Sequence, residues 1–153
     1  MTIHLVRHAR AGRRNGWEGP DEIRPISKAG RRQTRDLTAA LASTGITQVL
    51  SSPYVRCVQT AEPLADVLGL EVEVVDCLAE GAGVDRVLGL VAEHADDDVM
   101  LCTHGDVVEI ILKQVRRDGV KLRAPKTAKG SVWTLEVRKG RFVGAKYRPP
   151  RDA

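Results

Sequence analysis

Short apolar runs alternate with longer amphipathic segments along this chain, a pattern typical of an α/β fold. The apolar runs predict strands at residues 2–7, 47–51, 71–75 and 98–102. The amphipathic segments predict helices at residues 27–44, 52–68, 84–94 and 106–116. Two further strands, at residues 130–138 and 141–147, are predicted to pair antiparallel around the turn Lys139-Gly140. We therefore expect three α/β/α layers, with a mostly parallel central sheet and an antiparallel C-terminal hairpin at its edge.

Residues with known preferences for helix ends mark the predicted boundaries. Ser27 is the expected N-cap of the first helix, and Gly45 is the expected stop after it. Ser52-Pro53 is expected to open the second helix as its cap and first-turn proline. Residues 9–26 are expected to form a polar loop. The sequence shows no repeat, low-complexity tract or linker, so residues 1–153 are expected to form one domain.

Two of the predicted parallel strands end on a histidine. Arg7-His8 ends the first apolar run, and Thr103-His104-Gly105 ends the run before the fourth helix. The carboxyl ends of parallel strands share one edge of an open α/β sheet, where ligands bind. Either histidine alone is more simply interpreted as an ordinary strand-end residue. The pair indicates one site built by the fold.

Arginine residues add anion-binding capacity to this predicted edge. Arg56 lies in the first turns of the second helix, where free backbone amides and the helix dipole favour an anion. Arginine forks match phosphate oxygens, and each charge-assisted bond contributes about 1.5–3 kcal/mol. We expect Arg7, Arg56 and His104 to hold a phosphate without a metal, since the sequence has no ligand cluster typical of a metal site.

His8 is the expected nucleophile in such a pocket. Arg7 and Arg56 are expected to lower the pKa of its imidazole and keep the ring neutral. A neutral ring nitrogen can attack phosphorus in line and give a phosphohistidine that water then hydrolyses. The arginines and His104 would neutralise charge on the equatorial oxygens. Glu80, at another strand-to-loop exit, is either the general acid for the leaving group or a loop carboxylate paired with an arginine.

Composition limits the class of protein and its ligands. The chain has 153 residues, of which 42% are hydrophobic and 29% charged, and its net charge is +4. These values fit a globular domain. The basic balance either attracts a negatively charged substrate or is simply a solvated surface. An aromatic content of 3% offers no stacking platform, so no specific nucleic-acid binding is expected.

The sequence also carries expectations about location and redox state. Its apolar stretches are too short to cross a bilayer, and no basic-then-apolar leader precedes the first strand. We therefore expect a cytoplasmic protein without membrane contact. Cys57, Cys77 and Cys102 are odd in number and lack C-x-x-C spacing, so they are expected to be reduced, mostly buried thiols. No cofactor is expected.

Several motifs together resemble the histidine phosphatase superfamily, which includes the phosphoglycerate mutases. The matching pieces are Leu5-Val6-Arg7-His8, the segment from Ser51 to Ala61, Leu78-Ala79-Glu80-Gly81 and Thr103-His104-Gly105. The run from Arg24 to Gly30 resembles the small SixA-type branch of phosphohistidine phosphatases. The chain is also similar to the phosphatase-like domain attached to some mycobacterial Nudix hydrolases.

This resemblance implies a phosphoglycerate mutase-like fold and a role for each matching residue. His8 would be the phosphorylated nucleophile, and Glu80 matches the position from which larger members draw a proton donor. Ala9 stands where the family usually has Gly, a change expected to narrow the pocket floor or alter the backbone angle. The implied phosphate pocket consists of Arg7, Arg56 and His104. The residues assigned to substrate binding are Arg24, Gly105 and Asn15.

Together these observations predict a metal-independent phosphatase that works through phospho-His8. Larger members of the family carry insertions between the second arginine and the second histidine that cover the site. Only 47 residues separate Arg56 from His104 here (57 to 103), so the resemblance implies an open pocket. An open pocket would admit a phosphohistidine protein or a phosphomonoester. The alternatives are a sugar phosphate or nucleotide phosphatase or mutase, and a non-catalytic module that binds phosphorylated partners. Association with a separate Nudix hydrolase is a further alternative.

Overall fold

A six-stranded sheet with helices on both faces forms the centre of the computed structural model, which describes residues 1–123 and 127–151. The strands are β1 (Thr2–Arg7), β2 (Gln48–Ser51), β3 (Val72–Val74), β4 (Val99–Thr103), β5 (Val132–Arg138) and β6 (Arg141–Arg148). The α-helices are α1 (Lys28–Leu41), α2 (Val55–Leu68), α3 (Val84–Glu93) and α4 (Gly105–Arg117). Short 3-10 helices lie at Arg14–Gly16, Asp21–Ile23 and Asp76–Leu78.

The order of the strands places β1 and β4 side by side in the middle of the sheet. Across the sheet the order is β3-β2-β4-β1-β5-β6. The first four strands in the chain pair parallel to one another, whereas β5 pairs antiparallel with both β1 and β6. The predicted α/β class, with its mostly parallel sheet and antiparallel C-terminal edge, is confirmed.

Two hydrophobic cores, one on each face of the sheet, hold the layers together. Successive side chains of a strand point to opposite faces, and β1 uses both faces because it is central. Ile3 and Leu5 join the core beneath α3 and α4, while Val6 joins the core beneath α1 and α2. The buried helical residues of the first core include Val87, Val91, Val107, Ile111 and Val115. Those of the second include Leu37, Leu41, Ala61 and Leu64.

Two of the predicted helix ends are wrong. The first helix ends at Leu41 rather than near Thr44. The second helix begins at Val55 with Tyr54 as its N-cap, so Ser52-Pro53 does not open it. The Ser52 hydroxyl accepts a hydrogen bond from the Tyr54 N–H at 3.2 Å, but it lies two residues too early to cap the helix. The Ser52 hydroxyl also contacts His104, which explains why Ser52 is buried.

The segment 9–26 carries more structure than the predicted polar loop. It contains two of the 3-10 helices, and an isolated bridge joins Ala11 to Ile26 across its base. Arg24 within it is 6% exposed. The segment therefore folds back on itself and supplies buried polar groups close to the carboxyl edge of the sheet.

Other expectations about the whole chain have mixed outcomes. The three cysteines are buried free thiols, as predicted. Within the described ranges, no helix has the length and apolar character needed to span a membrane. The expected domain 1–153 also includes residues 124–126 and 152–153, which lie outside the described residues.

Candidate active site

The register between β1 and β4 places the two histidines next to each other. Arg7 pairs with Thr103, so the residues that follow them, His8 and His104, leave the sheet together. The His8 N–H donates to the Thr103 carbonyl at 3.0 Å, which extends the ladder by one residue. The two imidazole rings meet edge to face with their centroids 5.4 Å apart. The predicted convergence of two strand-end histidines is therefore a property of the parallel pairing.

His8 is held as a neutral ring with one nitrogen free. Its Nδ1 lies 2.8 Å from the Ala9 carbonyl oxygen. A carbonyl can only accept, so Nδ1 carries the proton and Nε2 keeps its lone pair. Burial, followed by the charges of His104, Arg56 and Arg7, lowers the pKa of His8 to about 3. The sequence predicted the direction of this shift, but burial contributes more to it than the arginines do.

Ala9 does not strain the backbone where the family usually has glycine. Among the described residues other than glycine, only Lys139 has a positive φ, so Ala9 lies in an ordinary region. Its side chain is fully buried, and its N–H donates to the Thr60 hydroxyl at 3.0 Å. The Ala9 carbonyl is the group that orients the His8 ring.

His104 is held through its opposite nitrogen. Its Nε2 is 2.8 Å from the Ser52 hydroxyl and 3.5 Å from the Cys57 sulfur. Its Nδ1 faces the Glu80 carboxylate at 3.4 Å. Although burial opposes ionisation, hydrogen bonds with Cys102 and His104 lower the pKa of the Cys57 thiol to about 6. Sequence reasoning missed Ser52 as a partner of His104, because it assigned that hydroxyl to a helix cap.

Arg56 is almost completely buried, with 1% of its surface exposed, and it is bound by two carboxylates. Its Nη1 donates to the Asp21 carbonyl at 2.9 Å, and its Nη2 donates to the Asp21 carboxylate at 3.0 Å and to Glu80 at 2.9 Å. Burial by itself would raise the pKa of Asp21, but hydrogen bonds from Arg24 and Arg56 outweigh this effect and lower the pKa. Asp21 was not predicted, because only the fold of segment 9–26 places it beside Arg56.

Three buried nitrogen atoms around this point have no hydrogen-bond partner among the described residues. They are Arg7 Nε, Arg56 Nε and His104 Nδ1. A buried donor without a partner costs about 1–3 kcal/mol, and more when the group is charged. The two arginine nitrogens are such donors, and a buried site with unpaired donors is characteristic of one prepared for an anion, because an anion supplies the missing acceptors.

Gly105 provides room for Arg7. A Cβ atom at Gly105 would lie 3.0 Å from Arg7 Cζ and 3.2 Å from its Nε. The Arg7 Nη1 donates to the Thr127 carbonyl at 2.7 Å, which holds the other end of the guanidinium. Burial lowers the pKa of Arg7. Because Gly105 has no side chain, the Arg7 guanidinium can pack against the first turn of α4.

The remaining residues assigned to substrate binding are Arg24 and Asn15. Arg24 Nε donates to Asp21 at 3.0 Å, and Arg24 Nη1 donates to the Gly12 carbonyl, so its guanidinium holds segment 9–26 in place. Asn15 is exposed and does not line the open cavity beside Arg7 and Glu80. Its neighbour Arg14 does, at 3.5 Å from Asp21 and 4.0 Å from Glu80.

An open cavity of about 570 Å³ lies against this cluster. It is lined by Arg7, Arg14, Tyr54, Glu80, Gly81, Gly105 and Asp106. Tyr54 connects the cavity wall to the buried groups, since its ring lies 4.6 Å from the His104 ring and 4.9 Å from Arg56 Cζ. In the part of the chain that the structure describes, no three His, Cys, Asp or Glu side chains are placed to hold a metal ion.

Comparison with known proteins supports the same family. The chain is 34% identical to an 8-oxo-(d)GTP phosphatase of Mycolicibacterium smegmatis over 99% of its own length, but it spans only 49% of that relative. The fold resembles the protein histidine phosphatase SixA, with a TM-score of 0.78 at 20% identity, covering 99% of this chain and 97% of that one. It also resembles a mycobacterial glucosyl-3-phosphoglycerate phosphatase, with a TM-score of 0.74 at 16% identity, covering 95% and 96% of the two chains.

The sequence model of one family covers most of the site. The model of the histidine phosphatase superfamily (branch 1) matches residues 3–85, which is more than half of the chain. The matched segment includes Arg7, His8, Arg56 and Glu80, and the parallel register then adds His104. This chain therefore belongs to branch 1 of the histidine phosphatase superfamily.

Proposed function

We propose that this protein is a metal-independent phosphatase that transfers a phosphoryl group from its substrate to His8 and then to water. The observation that carries the proposal is the state of His8: a neutral ring whose Nε2 is free, in a site where the buried Nε atoms of Arg7 and Arg56 have no hydrogen-bond partner among the described residues. A nucleophile with a pKa of about 3 stays unprotonated across the physiological range.

The reaction proceeds in two steps through one covalent intermediate. In the first step, the His8 Nε2–P bond forms, the bond from phosphorus to the leaving group breaks, and the leaving group receives a proton. In the second step, water attacks phosphorus, the Nε2–P bond breaks, and inorganic phosphate and neutral His8 are released. Arg7, Arg56 and His104 stabilise the charge on the three equatorial oxygens in both steps.

Glu80 is the group placed to supply the proton for the leaving oxygen. Its carboxylate bonds to Arg56 at 2.9 Å and also lines the open cavity, so it connects the phosphate pocket with the substrate side. An alkoxide leaving group needs such an acid, whereas imidazole leaves more readily. The position of Glu80 therefore supports a substrate whose leaving atom is oxygen, as in a phosphate ester or a nucleoside polyphosphate, ahead of a phosphohistidine protein.

Nucleotides are a specific candidate within that class. The relative from Mycolicibacterium smegmatis is an 8-oxo-(d)GTP phosphatase, and this chain matches about half of it. A cavity of about 570 Å³ has room for more of a substrate than its phosphoryl group. Phosphohistidine proteins are the second candidate, because the cavity is open and its rim residues Arg14 and Glu80 are exposed.

The test is the His8→Ala variant together with trapping of the intermediate. We expect p-nitrophenyl phosphate turnover to fall on the order of 10⁴-fold or more, because no other group replaces the nucleophile. Brief mixing of the wild-type protein with substrate, followed by an alkaline quench and peptide mass spectrometry, should show one added phosphoryl group on His8. The matched control is His94→Ala, since His94 pairs with Asp97 and is not part of the cavity lining. Turnover by His8→Ala at the wild-type rate would refute the proposal.

A further inference from the structure

The carboxylates around the phosphate pocket are already bonded, whereas two cations near the end of β1, outside the cavity lining, have no carboxylate partner among the described residues. Asp21 binds Arg56 and Arg24, Glu80 binds Arg56, and the Asp106 carboxylate accepts from the Gly81 N–H at 2.8 Å. Arg10 and Lys129 are exposed, and in the described ranges neither lies within ion-pair distance of a carboxylate. These two side chains remain available for an external anion.

Lys129 is fixed beside the catalytic strand end by its neighbours. The Gly130 N–H donates to the carbonyls of both Arg7 and His8, each at 3.0 Å. On the other side, the Ala128 N–H donates to the Tyr147 hydroxyl at 3.1 Å. Lys129 therefore projects from a tethered turn one residue away from a bond to the backbone of the proposed nucleophile.

Arg10 is tied to the same frame through a buried glutamine. The Arg10 N–H donates to Gln33 Oε1 at 2.9 Å. The same Oε1 atom would lie 2.8 Å from a Cβ atom at Gly130, where φ is +83°. Gln33 thus contacts both segments, and the backbone at Arg10 lies close to the turn that carries Lys129.

Several cations surround Lys129. Burial, followed by repulsion from Arg7, Arg24, Arg10 and Arg56, lowers the pKa of Lys129. Arg24 and Arg56 are already paired with carboxylates, but Arg10 and Lys129 are not, and a pair of neighbouring cations favours the binding of an anion. One phosphate in the pocket satisfies the buried donors of Arg7, Arg56 and His104 but leaves the exposed pair Arg10 and Lys129 without an anion.

We propose that Lys129 and Arg10 form a second anion subsite, which binds a phosphate of the substrate adjacent to the phosphoryl group that His8 receives. The substrate class is then a compound with two neighbouring phosphates, such as a nucleoside diphosphate, with its terminal phosphoryl group at His8. This inference rests on the proposed function, because it takes the pocket at His8 as the first phosphate site.

The test measures binding without turnover, by calorimetry on the His8→Ala protein. The two probes are orthophosphate and methylenediphosphonate, which presents two linked anionic groups that cannot be hydrolysed. We expect methylenediphosphonate to bind about tenfold more tightly than orthophosphate. Adding Lys129→Ala should remove that preference, and Lys129→Arg should restore most of it. Lys146→Ala is the matched control, because Lys146 is exposed on edge strand β6.

The possible outcomes separate this inference from the proposed function. Equal affinity for the two probes in the His8→Ala protein would overturn the second subsite. Equal weakening of both probes by Lys129→Ala would also overturn it, because Lys129 would then bind the transferred phosphate itself. A preference for methylenediphosphonate that depends on Lys129 supports the subsite even if no phosphohistidine forms on His8, a result that would refute only the proposed function.

Discussion

His8 and His104 are the same residue type at equivalent strand ends, yet they are held by opposite nitrogens. His8 uses Nδ1 to donate to a backbone carbonyl, whereas His104 uses Nε2 to contact the Ser52 hydroxyl. Burial does not distinguish them, since His8 is 5% exposed and His104 is 1% exposed. The difference lies in the chemistry of the partner.

That difference suits each ring to a separate task. A carbonyl can only accept, so it fixes one tautomer of His8 and leaves a lone pair on the other nitrogen. A hydroxyl can accept as well as donate, so His104 keeps its bond to Ser52 when it carries two protons. His8 is therefore suited to attack phosphorus, and His104 is suited to stabilise the charge that develops on the oxygens.

Among the variants that distinguish the roles of His8 and His104, His104→Ala should have the largest effect on kcat. We expect kcat to fall about 10²–10³-fold, as for the loss of one donor to a developing oxyanion. Because His8 remains, phosphohistidine should still form slowly, and rapid-quench mass spectrometry would detect it. A loss as large as that of His8→Ala, with no phosphohistidine, would contradict separate roles for the two rings.

A smaller effect is expected when only the orientation of His104 is disturbed. Ser52→Ala removes the partner of Nε2 without touching the phosphate pocket, and the lost hydrogen bond should lower kcat about tenfold. KM should change less than kcat, because Ser52 acts on the orientation of His104 and not on the binding of the substrate. Ser51→Ala is the matched control, since the Ser51 hydroxyl donates to the Ser52 carbonyl at 2.8 Å and to no other group in the described ranges. The same kcat loss in both variants would point to a packing defect.

The smallest expected effect concerns stability rather than rate. The pKa of His8 is about 3 in the folded protein, below its usual value of 6.5. Between these values the unfolded chain binds a proton at residue 8 that the folded chain does not. The free energy of unfolding therefore keeps the whole contribution of neutral His8 above pH 6.5 and decreases as the pH drops toward 3. His8→Asn should therefore lose less stability than the wild type between pH 7 and pH 4.5, as measured by urea midpoints. Parallel curves for the two proteins would show that burial of the ring does not produce this effect.

The sequence predicted the fold and the meeting of the two histidines because both depend on local patterns. Apolar runs identified β1 and β4, and parallel pairing then brings their last residues to the same edge. The roles of Ser52, Asp21 and Lys129 could not be found in this way. Each depends on a contact between segments far apart in the chain, namely Ser52 with His104, Asp21 with Arg56, and the turn after Lys129 with His8.

Sequence patterns show which uses are open to a residue but not which of them the fold employs. Ser52-Pro53 has the composition of a helix start, but a serine followed by proline serves equally well to hold a loop that points a hydroxyl inward. Arg24 has the charge of a phosphate ligand, and its Nε and Nη1 are bonded to Asp21 and Gly12, so its part in substrate binding stays a prediction. Residue type determines which hydrogen bonds or helix positions a side chain can adopt, whereas its neighbours in the fold determine which of these it adopts.

The pairing of Arg7 with Thr103 also bears on how this domain can change during evolution. Since side chains alternate between the two faces of a strand, one residue inserted within β4 would turn the ring of His104 toward the opposite helical layer. Insertions in the connections between β1 and β4 alter the spacing in the chain but leave the strand ends aligned. Loops of very different length are therefore compatible with the same pair of rings, whereas the last paired residues of β1 and β4 tolerate no insertion or deletion.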